Sequence, residues 1–260
     1  MSEYWVERNR KSQQALTDKS IKEVNKQLIK YYGASMEKIL GQFEKTYNKV
    51  LLSMSEGKQP TPADLYKLDT YWQQQAQLRI ELEKLGAKQV AALSKQFEIM
   101  FFEVYYSIAI PGTEAFNTID AATAQEMINA VWLADKKSWS ERVWDNINLL
   151  QETLNEEMIA CVVAGKKTSE LLHNLQERFD VSYNRADALV RTEMAHIQTQ
   201  AAQKRYQDYG IEEMEVWVDE DERTCPICAK MEGKKVSVNG KMPVPAHPRC
   251  RCCMIPVINF

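Results

Sequence analysis

The sequence predicts a mainly α-helical protein in which long amphipathic helices are followed by a small β-rich C-terminal module. Over the first 210 residues, apolar side chains recur at steps of three and four, the spacing of one helix face. After Gly210 that spacing gives way to short apolar runs separated by turn residues. The third observation concerns the module itself: five of the six cysteines fall within the 29 residues from Cys225 to Cys253.

Val24, Leu28 and Tyr31 open the first stripe, Gly33 is expected to interrupt it, and Met36, Leu40, Phe43, Tyr47, Val50 and Met54 continue it. Ser55 to Pro60 reads as a loop. Thr61-Pro62-Ala63-Asp64 then reads as a helix start, with Thr61 as N-cap, Pro62 at the first helical position and Asp64 facing the free amides. The next stripe is Leu65, Leu68, Trp72, Leu82 and Leu85, then Leu93, Phe97, Met100 and Val104, with a bend or break expected at Gly86 and a stop at Pro111-Gly112. Asp120 caps a short helix. Ser138-Trp139-Ser140-Glu141 has the form of a capping box ahead of Val143, Ile147, Leu150, Leu154 and Met158, a face that ends near Gly165.

Thr168 begins a shorter helix carrying Leu171, Leu175 and Phe179. Ser182 begins another carrying Leu189, Val190, Met194, Ile197 and Ala201, closed by Gly210 as a C-cap. Strands are expected from Met214 to Val218, Lys235 to Val238 and Met254 to Ile258, with turns at Gly233 and Asn239-Gly240. Three regions follow: a helical 1–112, a helical 113–210 and a β-rich 211–260.

Composition narrows the function classes. No apolar run approaches the roughly 20 residues that span a bilayer, and the opening MSEYWVERNRKSQ has no signal-peptide core. The chain is therefore expected to stay in a reducing cytoplasm, where thiols serve as metal ligands rather than disulfides. A net charge of −3 gives no global attraction to nucleic acid. Charge is instead segregated locally: seven acids and no base from Ile211 to Glu222, then seven bases against Glu232 alone from Arg223 to Arg251. The basic run reads first as solvated charge. Its second reading is a contact for DNA phosphate or an acidic partner through Lys234, Lys235, Arg249 and Arg251.

Cys225 and Cys228, then His247 and Cys250, form two tight ligand pairs joined by a segment that can fold as a hairpin. Paired thiolate and imidazole donors in this arrangement are what a tetrahedral zinc ion takes. Cys252 is an alternate fourth ligand. Four protein ligands leave no open position for an activated water, so the Zn2+ expected here is structural, a staple for a module too small to hold itself by apolar burial. Such an ion contributes on the order of 10–16 kcal/mol of apparent binding energy.

Catalytic residues are not expected. A nucleobase deaminase would need an HxE motif, whereas His196 is followed by Ile197 and Gln198. A His-Asn-His nuclease would need more histidines than His247 near the cysteines. No P-loop, GxSxG, HExxH or GxGxxG occurs, and no small-molecule substrate is indicated. Arg191 and Glu193 project about 200° apart on a helix and cannot form one site, while Asp187 and Arg191 can pair across one turn. His173 and His196 read as structural.

Three features together carry a resemblance. They are the helix RTEMAHIQTQAAQKRYQDYG (Arg191, Thr192, Glu193 to Gly210), the segment VWVDEDERTCPICAKMEGKKV, and the closing PVPAHPRCRC. Over roughly Ser138 to Ile258 the chain resembles the phage minor head proteins, the Mu F-like head morphogenesis family. The order Pro243-Val244-Pro245-Ala246 departs slightly from the two adjacent prolines usual in that family. The opening YWVERNRKSQ is also similar to minor capsid proteins of phages of Gram-positive bacteria.

The resemblance implies a minor capsid protein made in the bacterial host cytoplasm and carried in the virion, in the head interior or at the portal vertex. It would be associated with the portal protein, other capsid proteins and the DNA near them during packaging or ejection. Some relatives carry a C-terminal toxin or enzymatic extension; this chain ends at Phe260, eight residues past Cys252, and none is expected. A nucleic-acid-binding zinc module without a virion role is the alternative.

Overall fold

The computed structural model describes residues 2–53, 61–110, 118–218 and 221–258. The order is α1 (Ser2–Ser53), α2 (Pro62–Tyr66), α3 (Asp69–Ser107), α4 (Ala121–Ile128), α5 (Trp139–Val163), α6 (Thr168–Asp208), β1 (Glu213–Trp217), α7 (Pro226–Ala229), β2 (Lys235–Ser237) and β3 (Cys253–Pro256). The mainly helical class and the small C-terminal sheet are as expected. The loop from Ser55 to Pro60, the stop at Pro111-Gly112 and the acids Asp219 and Glu220 lie outside the described residues. Among the described residues no helix is long and apolar enough to cross a membrane.

The helices are longer and fewer than the sequence suggested. α1 runs through Gly33 without interruption, because a helix-interior glycine costs only about 1 kcal/mol and the buried stripe continues on both sides of it. The stripe that begins at Leu65 is divided after Tyr66, not at Gly86, which lies inside α3. Phe179 to Ser182 is not a junction either. With no glycine or proline there, α6 continues from Thr168 to Asp208, and Ser182 is a buried mid-helix residue.

Other local expectations hold. Asp64 reaches back to the Thr61 amide at 3.1 Å. Asp120 caps α4 by accepting from the Thr123 amide at 2.9 Å. Gly210, at φ +73°, closes α6 with Ile211 donating to the Tyr206 carbonyl at 3.0 Å, the left-handed cap that glycine favours.

The chain divides into two compact units. One comprises Lys26–Ala91 and Ser140–Ala186. Its core is Leu28, Tyr32, Ile39, Phe43 and Tyr47 of α1, Leu78, Leu82 and Leu85 of α3, the Val143 to Met158 face of α5, and Leu171, Leu175 and Phe179 of α6. The Tyr47 hydroxyl donates toward the Cys161 and Lys166 carbonyls at 2.9 and 2.8 Å, satisfying groups where α5 ends. Asn146 donates to Tyr32 Oη and to the Ser182 carbonyl at 3.1 and 2.9 Å. Gly86 has a packing role: a Cβ placed on it would lie 2.5 Å from Cζ3 of Trp144.

The other unit comprises Met1–Asn25, Ala92–Trp139 and Asp187–Phe260, and holds the sheet. The strands lie in the order β2-β1-β3, all antiparallel, with Met214 opposite Val236 and Val216 opposite Met254. Alternation in β1 buries Met214 and Val216, and every residue of β3 is buried. The sheet is anchored on α6, where Gln203 donates to the carbonyls of Val238 and Gly240 at 2.7 and 3.1 Å. The Arg10 guanidinium lies over the Trp217 ring at 5.0 Å. The first turns of α1 present a buried polar stripe that the apolar pattern had not revealed. Asn9 exchanges hydrogen bonds with the Ala109 backbone at 2.8 and 3.2 Å, Gln13 donates to Tyr206 Oη at 3.0 Å, Thr17 donates to Gln198 at 2.9 Å, and Ser20 accepts from Gln96 at 3.1 Å.

Gly86→Ala should destabilise the protein by about 1–2 kcal/mol, overpacking against Trp144 outweighing the better helix propensity. Thermal denaturation checks this, and adding Trp144→Leu should restore most of the loss; a stabilised single variant would refute the close approach.

Candidate metal centre

The cysteine cluster is assembled from two turns of the sheet-bearing unit. Cys225 is the N-cap of α7, with its sulfur accepting from the Cys228 amide at 3.4 Å. Pro226 at the first helical position fixes φ for the turn. That single turn places Cys225 and Cys228 on the same side. The second pair comes from the turn before β3, where the Cys250 amide donates to the His247 carbonyl at 3.2 Å.

His247 Nε2 lies 3.2 Å from Cys225 Sγ and 3.0 Å from Cys228 Sγ, and Cys228 Sγ lies 3.8 Å from Cys250 Sγ. His247 Nδ1 is 2.8 Å from the Pro248 carbonyl. A carbonyl only accepts, so Nδ1 carries the proton and Nε2 faces the sulfurs as a lone-pair donor. Two sets of donors, Cys225, Cys228 and His247, and Cys228, Cys250 and Cys252, each lie within 4.8 Å of one another and could hold a metal ion. Cys228 belongs to both. Cys253 belongs to neither and is buried in β3.

The thiols are electrostatically unequal. The Cys228 amide lowers the Cys225 pKa, whereas burial pushes Cys228 up to about 12. The hydrogen bond between Cys252 and Cys250 holds Cys250 down to about 5 and raises Cys252. Cys250 is thus the member of that pair that most readily becomes a thiolate, the form that binds metal.

The basic residues singled out in the sequence do not form one surface set. Lys234 and Lys235 are exposed at the start of β2. Arg249 pairs with Asp187 at 3.0 Å, and Arg251 grips Asp221 through two hydrogen bonds of 2.6 and 2.8 Å. Asp221 also takes Arg223 at 3.1 Å, so the acidic and basic runs partly neutralise one another, and these guanidiniums hold its carboxyl below the usual range.

The Arg191-Thr192-Glu193 motif sends three side chains in three directions. Arg191 Nε meets both oxygens of Asp187 at 2.9 and 3.0 Å, the pairing expected across one turn. Glu193 accepts from Trp132 Nε1 at 3.0 Å, and the Trp132 ring stacks on His196 at 4.2 Å. Thr192 Oγ1 accepts the Arg249 amide at 3.1 Å while donating to the Ala188 carbonyl. Arg249 has φ +62°, a left-handed conformation that costs a non-glycine residue about 1 kcal/mol or more, and the Thr192 hydroxyl holds it there. Sequence reasoning missed this role of Thr192. The hydroxyl within the motif was visible, but its partner is a backbone amide 57 residues away.

Residues 152–255 match the family described as Phage Mu protein F like protein. That stretch of the chain is similar to the family. The matched stretch runs from within α5 into β3 and so contains α6, β1, β2 and every donor of the cluster. The family is a structural, phage head-related one. Across a wider span the chain is similar to the NAD(+)–arginine ADP-ribosyltransferase EFV of Enterococcus faecalis, at 23% identity over 269 residues. That alignment covers 96% of this chain and 54% of the relative, so the chain spans about half the relative's length. No solved structure matches.

Thr192→Val keeps the shape of the side chain and removes the acceptor for the Arg249 amide. It should cost about 1–2 kcal/mol in denaturant unfolding and speed hydrogen exchange at Arg249. Unchanged protection of that amide would show that the latch contributes nothing.

Proposed function

We propose that the protein is a structural component of a bacteriophage head that docks on the portal protein and other capsid proteins, with DNA contacts during packaging or ejection. The match of residues 152–255 to the Mu F-like family carries this reading. It favours a virion location at the head interior or portal vertex. The helices of residues 1–112 serve as the docking part. The alternative, a zinc module that binds nucleic acid without a virion role, rests on Lys234, Lys235, Arg249 and Arg251 alone, two of which are already paired with acids.

The metal is Zn2+, held by Cys225, Cys228, His247 and Cys250, with Cys252 as the alternate fourth ligand. The donor chemistry supports this assignment. A tetrahedral zinc with bonds of about 2.3 Å to sulfur and 2.0 Å to nitrogen separates two sulfurs by about 3.8 Å and sulfur from nitrogen by about 3.5 Å. The Cys228–Cys250 separation of 3.8 Å fits, and the imidazole lies a few tenths of an ångström inside the second value. With four protein donors the ion clamps the two turns and performs no turnover. This chain is assigned a non-enzymatic role.

Co-expression with the portal protein of the same phage should yield a complex that survives size-exclusion chromatography. A tagged chain that emerges free of portal and of every other capsid protein would overturn the virion reading. Freshly purified, reduced protein should contain about one zinc per chain. Cys225→Ser should lose it and melt the segment after Gly210 with most helical circular dichroism retained; full zinc content in that variant would exclude Cys225 as a ligand.

A further inference from the structure

We propose that the arginine-lined cleft beside the cysteine cluster, between the first turns of α1, α6 and the 249–253 segment, is a binding site for phosphate groups. It encloses about 480 Å3, and its walls carry Arg191, Arg223, Arg249 and Arg251 against the carboxylates of Asp18 and Asp187. That volume is in the range of small-ligand sites. Guanidinium forks match phosphate oxygens in shape as well as charge, and four of them converge here from α6 and from two separate turns of the C-terminal module.

Two carboxylates hold the forks in place. Asp187 fixes Arg191 and Arg249 from one side, and Asp221 fixes Arg251 and Arg223 from the other. Arg191 meets Asp187 through Nε, which leaves the N–H donors of both Nη atoms to a ligand. Its side chain is 42% exposed and that of Arg249 is 48% exposed, so both are reachable from solvent. Asp221, gripped end-on by Arg251, occupies the place of an anion. Asp221 lies outside the cleft lining, and its hold on Arg251 and Arg223 competes with an incoming phosphate for those guanidiniums. This inference rests on the DNA contact proposed above and places it in the cleft.

The test is titration of the purified, metal-containing full chain at low salt with inorganic triphosphate and with single-stranded DNA of about twenty nucleotides. One triphosphate should bind per chain. Arg223→Ala, at a largely exposed side chain, and Arg191→Lys, which keeps charge but loses the fork, should each weaken it about five- to tenfold. Asp221→Asn should tighten it several-fold, and Lys234→Ala with Lys235→Ala should leave it unchanged. Competition by the DNA assigns the phosphate to a nucleic-acid backbone; triphosphate binding without competition assigns it to a free phosphate compound. No triphosphate binding, or binding that the arginine and Asp221 variants leave intact while circular dichroism shows them folded, overturns the inference. A failed portal complex leaves this result standing, since triphosphate binding needs no capsid partner.

Discussion

A short stretch of α6, from Asp187 to Thr192, carries the contacts on which the C-terminal module depends. Asp187 accepts from Arg191 on its own helix, from Arg249 across the turn and from Asn25 of α1 at 2.7 Å. Thr192 takes the Arg249 amide. Arg249 sits between His247 and Cys252, so the backbone that presents these donors is fixed from α6 rather than by the small sheet alone. Three strands of three to five residues bury too little to specify such a turn by themselves. A helix that presents a carboxylate and a hydroxyl five residues apart does so with directional bonds.

This arrangement gives the Arg191-Thr192-Glu193 motif a physical content. Its three side chains serve three neighbours: a carboxylate, a backbone amide and the indole N–H of Trp132. The motif is a set of anchors.

Periodicity made the helical class legible, and the alternation after Gly210 located all three strands to within two residues. Caps with a local signature, at Asp120 and Gly210, were readable because both partners lie within a few residues. Continuity was harder. Gly33, Gly86 and Ser182 each looked like punctuation, yet helices run through all three, since whether a glycine breaks a helix depends on what packs there. At Gly86 the decisive neighbour, Trp144, is 58 residues away. The cysteine and histidine donors were visible from spacing, whereas the separation of Arg249 and Arg251 from Lys234 and Lys235 required knowing which acids they meet.

The polar stripe at the start of α1 has a consequence of its own. Apolar side chains tolerate sliding, because one methyl group replaces another at little cost. Asn9, Gln13, Thr17 and Ser20 do not, since each is matched to a specific partner on α3, on α6 or in the backbone just beyond α3. Displacing the helix by one turn would strand all four in a dry interior at about 1–3 kcal/mol apiece. Those four bonds act as a vernier, giving this greasy rod a single permitted axial setting.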